Sequence, residues 1–105
     1  MIPELEKKIY EEVRTFFKKL NEEAERTHEE YKIFAHGDDY GVWRILIDRE
    51  TFDKEGNIIS SRTIILILPK HKLVCFSLPE GFTITKEFKS PEELLCIIAS
   101  FLPLL

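Results

Sequence analysis

The chain has 105 residues, which suits one domain with one hydrophobic core. An apolar share of 44% and a charged share of 32% exclude a disordered chain, and no run of about 20 apolar residues is present to span a membrane as a helix. The net charge of −4 is uneven: residues 1–30 carry nine acids against six bases and residues 37–57 six against three, whereas residues 58–89 carry five bases against two acids. Such a surface disfavours direct binding of nucleic acid and suits a basic partner.

The N-terminal Met-Ile-Pro-Glu-Leu-Glu-Lys-Lys lacks the apolar core and cleavage site of a secretion signal. Cys75 and Cys96 fall inside apolar runs and read as buried free thiols, with a disulfide as the alternative. The expected setting is therefore cytoplasmic. Abundant Glu and Lys with only four Gly resemble a thermophile's composition.

Leu5, Ile9, Val13, Phe16, Phe17, Leu20, Ala24 and Tyr31 recur in steps of three and four. This stripe predicts one helix from Pro3 to about Glu30. Pro3 suits the first turn, and Glu4 and Glu6 suit the positive end of the helix dipole. Glu4–Lys8 and Glu22–Arg26 have pairing spacing. At about 1.5 Å per residue such a helix outreaches a five-stranded sheet with about 4.8 Å between strands. Either one end projects and a partner subunit covers it, or the helix runs diagonally, or it ends early near Asn21.

Five strands follow. Tyr31 to Ala35 is the first, and His36 to Gly41 has turn composition. In the second, Val42 to Arg49, alternation sends Trp43, Ile45 and Ile47 to the core and Val42, Arg44, Leu46 and Asp48 toward water. Glu50 to Asn57 is a polar loop. Ile58 to Leu68 is the third strand, with Ile65 and Ile67 on one side and Ile64, Leu66 and Leu68 on the other. Apolar residues on both sides predict that both are covered. Pro69 to Lys72 breaks the chain before the fourth strand, Leu73 to Leu78. Pro79-Glu80-Gly81 turns into the fifth, Phe82 to Phe88, with Phe82, Ile84 and Phe88 on one side. Short links make the sheet an antiparallel meander.

Ser90-Pro91-Glu92-Glu93 is a helix start: Ser90 caps, Pro91 takes the first position and Glu93 closes a capping box. The helix runs to about Leu102, before Pro103, and is apolar nearly all round, so it needs a neighbour beyond the sheet. The expected fold is one α+β domain over residues 1–105. It is a five-stranded antiparallel meander with an N-terminal and a C-terminal helix packed on one face.

Chemistry-bearing motifs are sparse. No HxH, HExxH, CxxC, GxSxG or Gly-rich phosphate loop is present, so no cofactor, metal site or catalytic residue is expected. His36, Asp38 and Asp39 form the best cluster for a small metal-dependent hydrolase, against the simpler reading of a polar turn. Arg62, Lys70, Lys72, Lys86 and Lys89 with Phe76 or Phe82 would make a nucleic-acid platform, against the simpler reading of charged strand edges. Asp38, Asp39, Asp48, Glu50, Asp53 and Glu55 are the candidate partner-binding acids. Ile64, Leu66, Leu68, Ile98, Phe101 and Leu102 are candidates for a homodimer interface, because a twofold contact would bury the surplus apolar surface.

In length, acid balance, thermophile-like composition and α-β-meander-α order, the whole chain resembles in outline the small anti-CRISPR proteins of archaeal viruses, inhibitors of type I-D effectors. The resemblance implies a compact acidic homodimer in the host cytoplasm that blocks a basic surface of a CRISPR effector subunit. It carries over no functional residue. Two other functions compete: a cellular adaptor or chaperone-like module binding through an apolar sheet face, and the hydrolase at His36.

Overall fold

The computed structural model describes residues 4–23 and 28–105. Helix α1 spans Glu4–Glu23. The strands are β1 (Glu29–Asp38), β2 (Gly41–Phe52), β3 (Ile58–Leu68), β4 (Leu73–Ser77) and β5 (Thr83–Glu87). Helix α2 spans Pro91–Phe101. All neighbouring strands pair antiparallel in the order β1-β2-β3-β4-β5, so the fold is the expected meander with two helices. No helix among the described residues is long and apolar enough to cross a membrane.

Both helices pack on one face. Ile45 and Ile47 of β2, Ile65 and Ile67 of β3, and Val74 and Phe76 of β4 are fully buried there. Ile9, Val13 and Phe17 of α1 and Leu94 and Ile98 of α2 meet them in a single cluster. The buried stripe of α1 begins at Glu6 rather than Leu5, which is 39% exposed. Glu6 Oε2 accepts a hydrogen bond from Val42 N at 2.8 Å, so the carboxylate ties the helix start to the β1–β2 hairpin. Gly41, at φ +153, leaves the room: a Cβ there would run into the Glu6 carboxylate.

Helix α1 is shorter than the sequence pattern suggests. It has 20 residues, about 30 Å at 1.5 Å each. Asn21 marks its last turn and serves the sheet. Its Nδ2 donates to Tyr31 O and its Oδ1 accepts from Tyr31 N, both at 2.8 Å, which pairs part of the outer edge of β1. The expected helix residues Glu29 and Glu30 instead open β1, so the hairpins extend at the helix's expense. Pro3, Ala24 and the Glu22–Arg26 pair lie outside the described residues.

Three bulges re-aim side chains that strict alternation misplaces. The pairs Gly37↔Val42 and His36↔Arg44 leave Trp43 as an extra residue, and it is 49% exposed instead of in the core. The pairs Ile47↔Ile65 and Asp48↔Thr63 leave Ile64 extra, and Ile64 is fully buried together with Ile65. A third places Ile59 between the partners of Thr51 and Phe52. At the far edge Phe82 precedes β5 and is 68% exposed, while Phe88 is buried.

Helix α2 begins as its sequence indicates: Ser90 Oγ accepts from Glu93 N at 3.1 Å, and Pro91 takes the first turn. Leu95, Ile97, Phe101 and Leu102 are partly buried against the core, so the same chain covers its apolar sides in part. Phe101 stacks on Phe76 with centroids 4.5 Å apart, and Lys8 of α1 reaches Glu92 at 3.5 Å. The side away from the core carries Cys96, Ala99 and Ser100, all exposed and small. Cys96 is therefore not buried. Cys75 is half-buried on the other side of the sheet, and both thiols are free.

Candidate functional site

The face of the sheet opposite the helices is uncovered among the described residues. Register places Phe34, Leu46, Leu66, Cys75 and Thr85 in one line across all five strands. Phe34 is 43% exposed, and Leu46, Leu66 and Cys75 are partly exposed. Leu68 and Leu73, which are Cα partners, widen the row toward β4. The result is an apolar band across the sheet.

Polar pairs hold both flanks. On one side His36 Nδ1 lies 3.1 Å from Arg44 Nε and 2.8 Å from Arg44 Nη2. Arginine is always a donor, so this ring nitrogen is an acceptor. On the other side Thr63 Oγ1 donates to Asp48 Oδ1 at 2.6 Å, and Lys32 Nζ lies 3.3 Å from Glu50 Oε2.

The candidate dimer residues therefore divide. Ile64 and Ile98 are fully buried inside one chain and have no surface to offer a second copy. The bulge beside Ile64 and the inward side of α2 put them there. Leu66 and Leu68 lie on the open face. Phe101 and Leu102 are partly exposed on the helix side, so the structure does not bring the six together.

The candidate acids divide as well. Asp38 and Asp39 sit at the β1–β2 turn, and Asp53 and Glu55 at the β2–β3 turn. Those turns stand at opposite ends of β2, 12 residues or about 40 Å apart. Asp38 Oδ1 accepts from Tyr40 N at 2.7 Å. Asp53 Oδ1 accepts from the backbone of Glu55 and of Asn57, both at 2.9 Å. These bonds, that from Asn57 N first, hold the Asp53 carboxyl below its ordinary value. Glu50 is only 7% exposed and cannot be presented to a partner. Its place beside Lys32 within the sheet accounts for the loss of exposure.

Among the described residues no group of three or more His, Cys, Asp or Glu is arranged to hold a metal ion. His36 is exposed and engaged by Arg44 of the neighbouring strand. The basic residues do not make one platform either. Arg62 points its Nη2 to Leu105 O at 2.9 Å, and Phe76 is fully buried. Comparison with known proteins returns no match: no family model fits the sequence, and no curated protein or solved structure is similar to it.

Proposed function

We propose that this chain is a small non-enzymatic binding protein that works by association through the open face of its sheet, with a second copy of itself as first partner. The apolar row Phe34–Leu46–Leu66–Cys75 supports this reading. It spans strands whose other face already carries a complete core, so folding one chain does not require it to be apolar. The length of α1 does not argue for a second copy, since the helix is 20 residues long and packs along its own sheet.

Sedimentation equilibrium of the whole chain and of Leu66→Lys tests the reading. A concentration-dependent dimer that Leu66→Lys converts to a folded monomer is the expected result. A wild-type monomer at every concentration removes the self-associating form. Capture of a partner at high salt would then favour an adaptor using the same apolar face.

A second reading rests on the acids at the exposed hairpin turns, Asp38, Asp39 and Glu55. In it the protein occludes a basic surface of a nucleic-acid enzyme, such as a host CRISPR effector subunit. Charge-led binding of this kind weakens as salt rises. Retention of such a subunit at low salt and its loss at high salt is the expected signature. Salt-independent capture counts against it.

A further inference from the structure

On the helix side, remote from the open face, a cleft of about 500 Å³ opens between the end of α1, the end of α2 and the β1–β2 pair. Phe16, Leu20, Leu102 and Leu105 supply apolar walls, and Tyr31 and Arg49 also line it. Arg49 is the unusual member. Its Nη2 donates to the Tyr31 hydroxyl at a long 3.4 Å, and its guanidinium lies 5.6 Å from the centroid of the Tyr31 ring. Its Nε is enclosed and has no hydrogen-bond partner among the described residues. No carboxylate pairs with it among the described residues.

The neighbouring charge makes this more costly. Arg49 is the Cα partner of Arg62, so two guanidinium groups share one side of the sheet. Arg62 has acceptors, the main-chain oxygens of Leu105 at 2.9 Å and Ser77 at 3.4 Å. Arg49 has none of that quality. A half-buried cation with an unused, desolvated donor is unfavourable unless an anion meets it. Guanidinium donors also match an oxyanion edge in two-point fashion.

We infer that this cleft is a binding site for a small anionic amphiphile, a carboxylate head on an apolar tail. The head pairs with the accessible edge of the Arg49 guanidinium, beside the Tyr31 hydroxyl, and the tail lies along Phe16, Leu20 and Leu102. The volume falls within the range of small-molecule sites, and apolar walls with one placed charge are their usual make-up. Glu29 stands exposed at the rim and opposes an incoming anion, so it weakens the site without closing it.

Titration of the full chain with decanoate, followed by backbone amide shifts, tests the site. Decanol and decyltrimethylammonium are the controls. The expected result is saturable binding of decanoate, with shifts at Phe16, Tyr31, Arg49 and Leu102 and little response to either control. Arg49→Met should weaken binding by about tenfold or more, and Glu29→Gln should strengthen it a few-fold. Ala99→Phe alters an exposed position on α2 and narrows the cleft without touching Arg49, so it covers the case in which Arg49→Met fails to fold. It too should weaken binding. The inference is overturned by no saturable binding, by equal affinity for decanol, by undiminished binding in a folded Ala99→Phe or Arg49→Met variant, or by shifts confined to the open face around Phe34 and Leu66.

Discussion

The two faces of the sheet are built from the same strands and differ in what they bury. The covered face presents Ile45, Ile47, Ile65, Ile67, Val74 and Phe76, every one fully buried. The open face presents Phe34, Leu46, Leu66, Leu68, Leu73 and Cys75, all partly or substantially exposed. β-Branched residues, stiff at χ1, crowd under the helices, and leucines fill the other side. Both faces satisfy a period of two, so alternation alone does not say which one the helices choose. The comparison teaches that apolar character on a strand marks a contact but does not name the occupant. On one face the occupant is the chain's own helices; on the other it is the proposed partner.

The largest expected effect separates the faces directly. Ile65→Ala should cost about 3 kcal/mol of folding stability in denaturant unfolding, since it opens a cavity in a fully packed core. Its neighbour Leu66→Ala should cost about 1 kcal/mol or less in a single chain. A Leu66→Ala loss that equals Ile65→Ala and grows with protein concentration would show that the open face is buried in solution.

Next in size is the junction between the start of α1 and the β1–β2 hairpin. Gly41→Ala forces a Cβ against the Glu6 carboxylate and should cost about 2–3 kcal/mol. Combined with Glu6→Ala, much of that loss should be non-additive in thermal unfolding, because one contact is removed twice. Independent, additive losses would mean the two residues do not meet.

Asn21→Ala leaves the backbone N–H and C=O of Tyr31 without their side-chain partner. It should cost about 1–2 kcal/mol, and hydrogen exchange should quicken at Tyr31 while the open-face strands β3 and β4 stay protected.

The smallest effect lies in the β2–β3 turn, remote from both faces. The Asp53 carboxyl has a folded value below its ordinary 3.8, so its contribution is present above the unfolded value and is lost as pH falls through the folded one. Asp53→Asn should flatten this acid limb in a pH series of unfolding midpoints. An unchanged acid limb would show that the turn does not depend on the ionised group.

Much of the fold was legible in local chemistry. Ser90-Pro91 marks the start of α2 through a cap that needs only nearby backbone. The bounds of β3 and the meander order follow from apolar runs and from turns such as Pro69–His71 with left-handed Lys72. The candidate site was less legible. The sequence pattern groups Ile64 with Leu66 and sends Trp43 inward, because it cannot register an extra residue that depends on the partner strand. It also reads the helical stripe through Leu5, since nothing local shows that Glu6 finds an N–H donor 36 residues away.

By itself the sequence determined an α+β arrangement: a meander of five strands between two helical segments. Only the tertiary structure decided where α1 ends, which face the helices take, that Glu50 is buried, and that Arg49 stands with an unmatched donor in an apolar cleft. The physical reason is range. Caps, turns and periodicity are settled within a few residues, whereas bulges, buried charges and clefts depend on strands and helices that meet from distant parts of the chain.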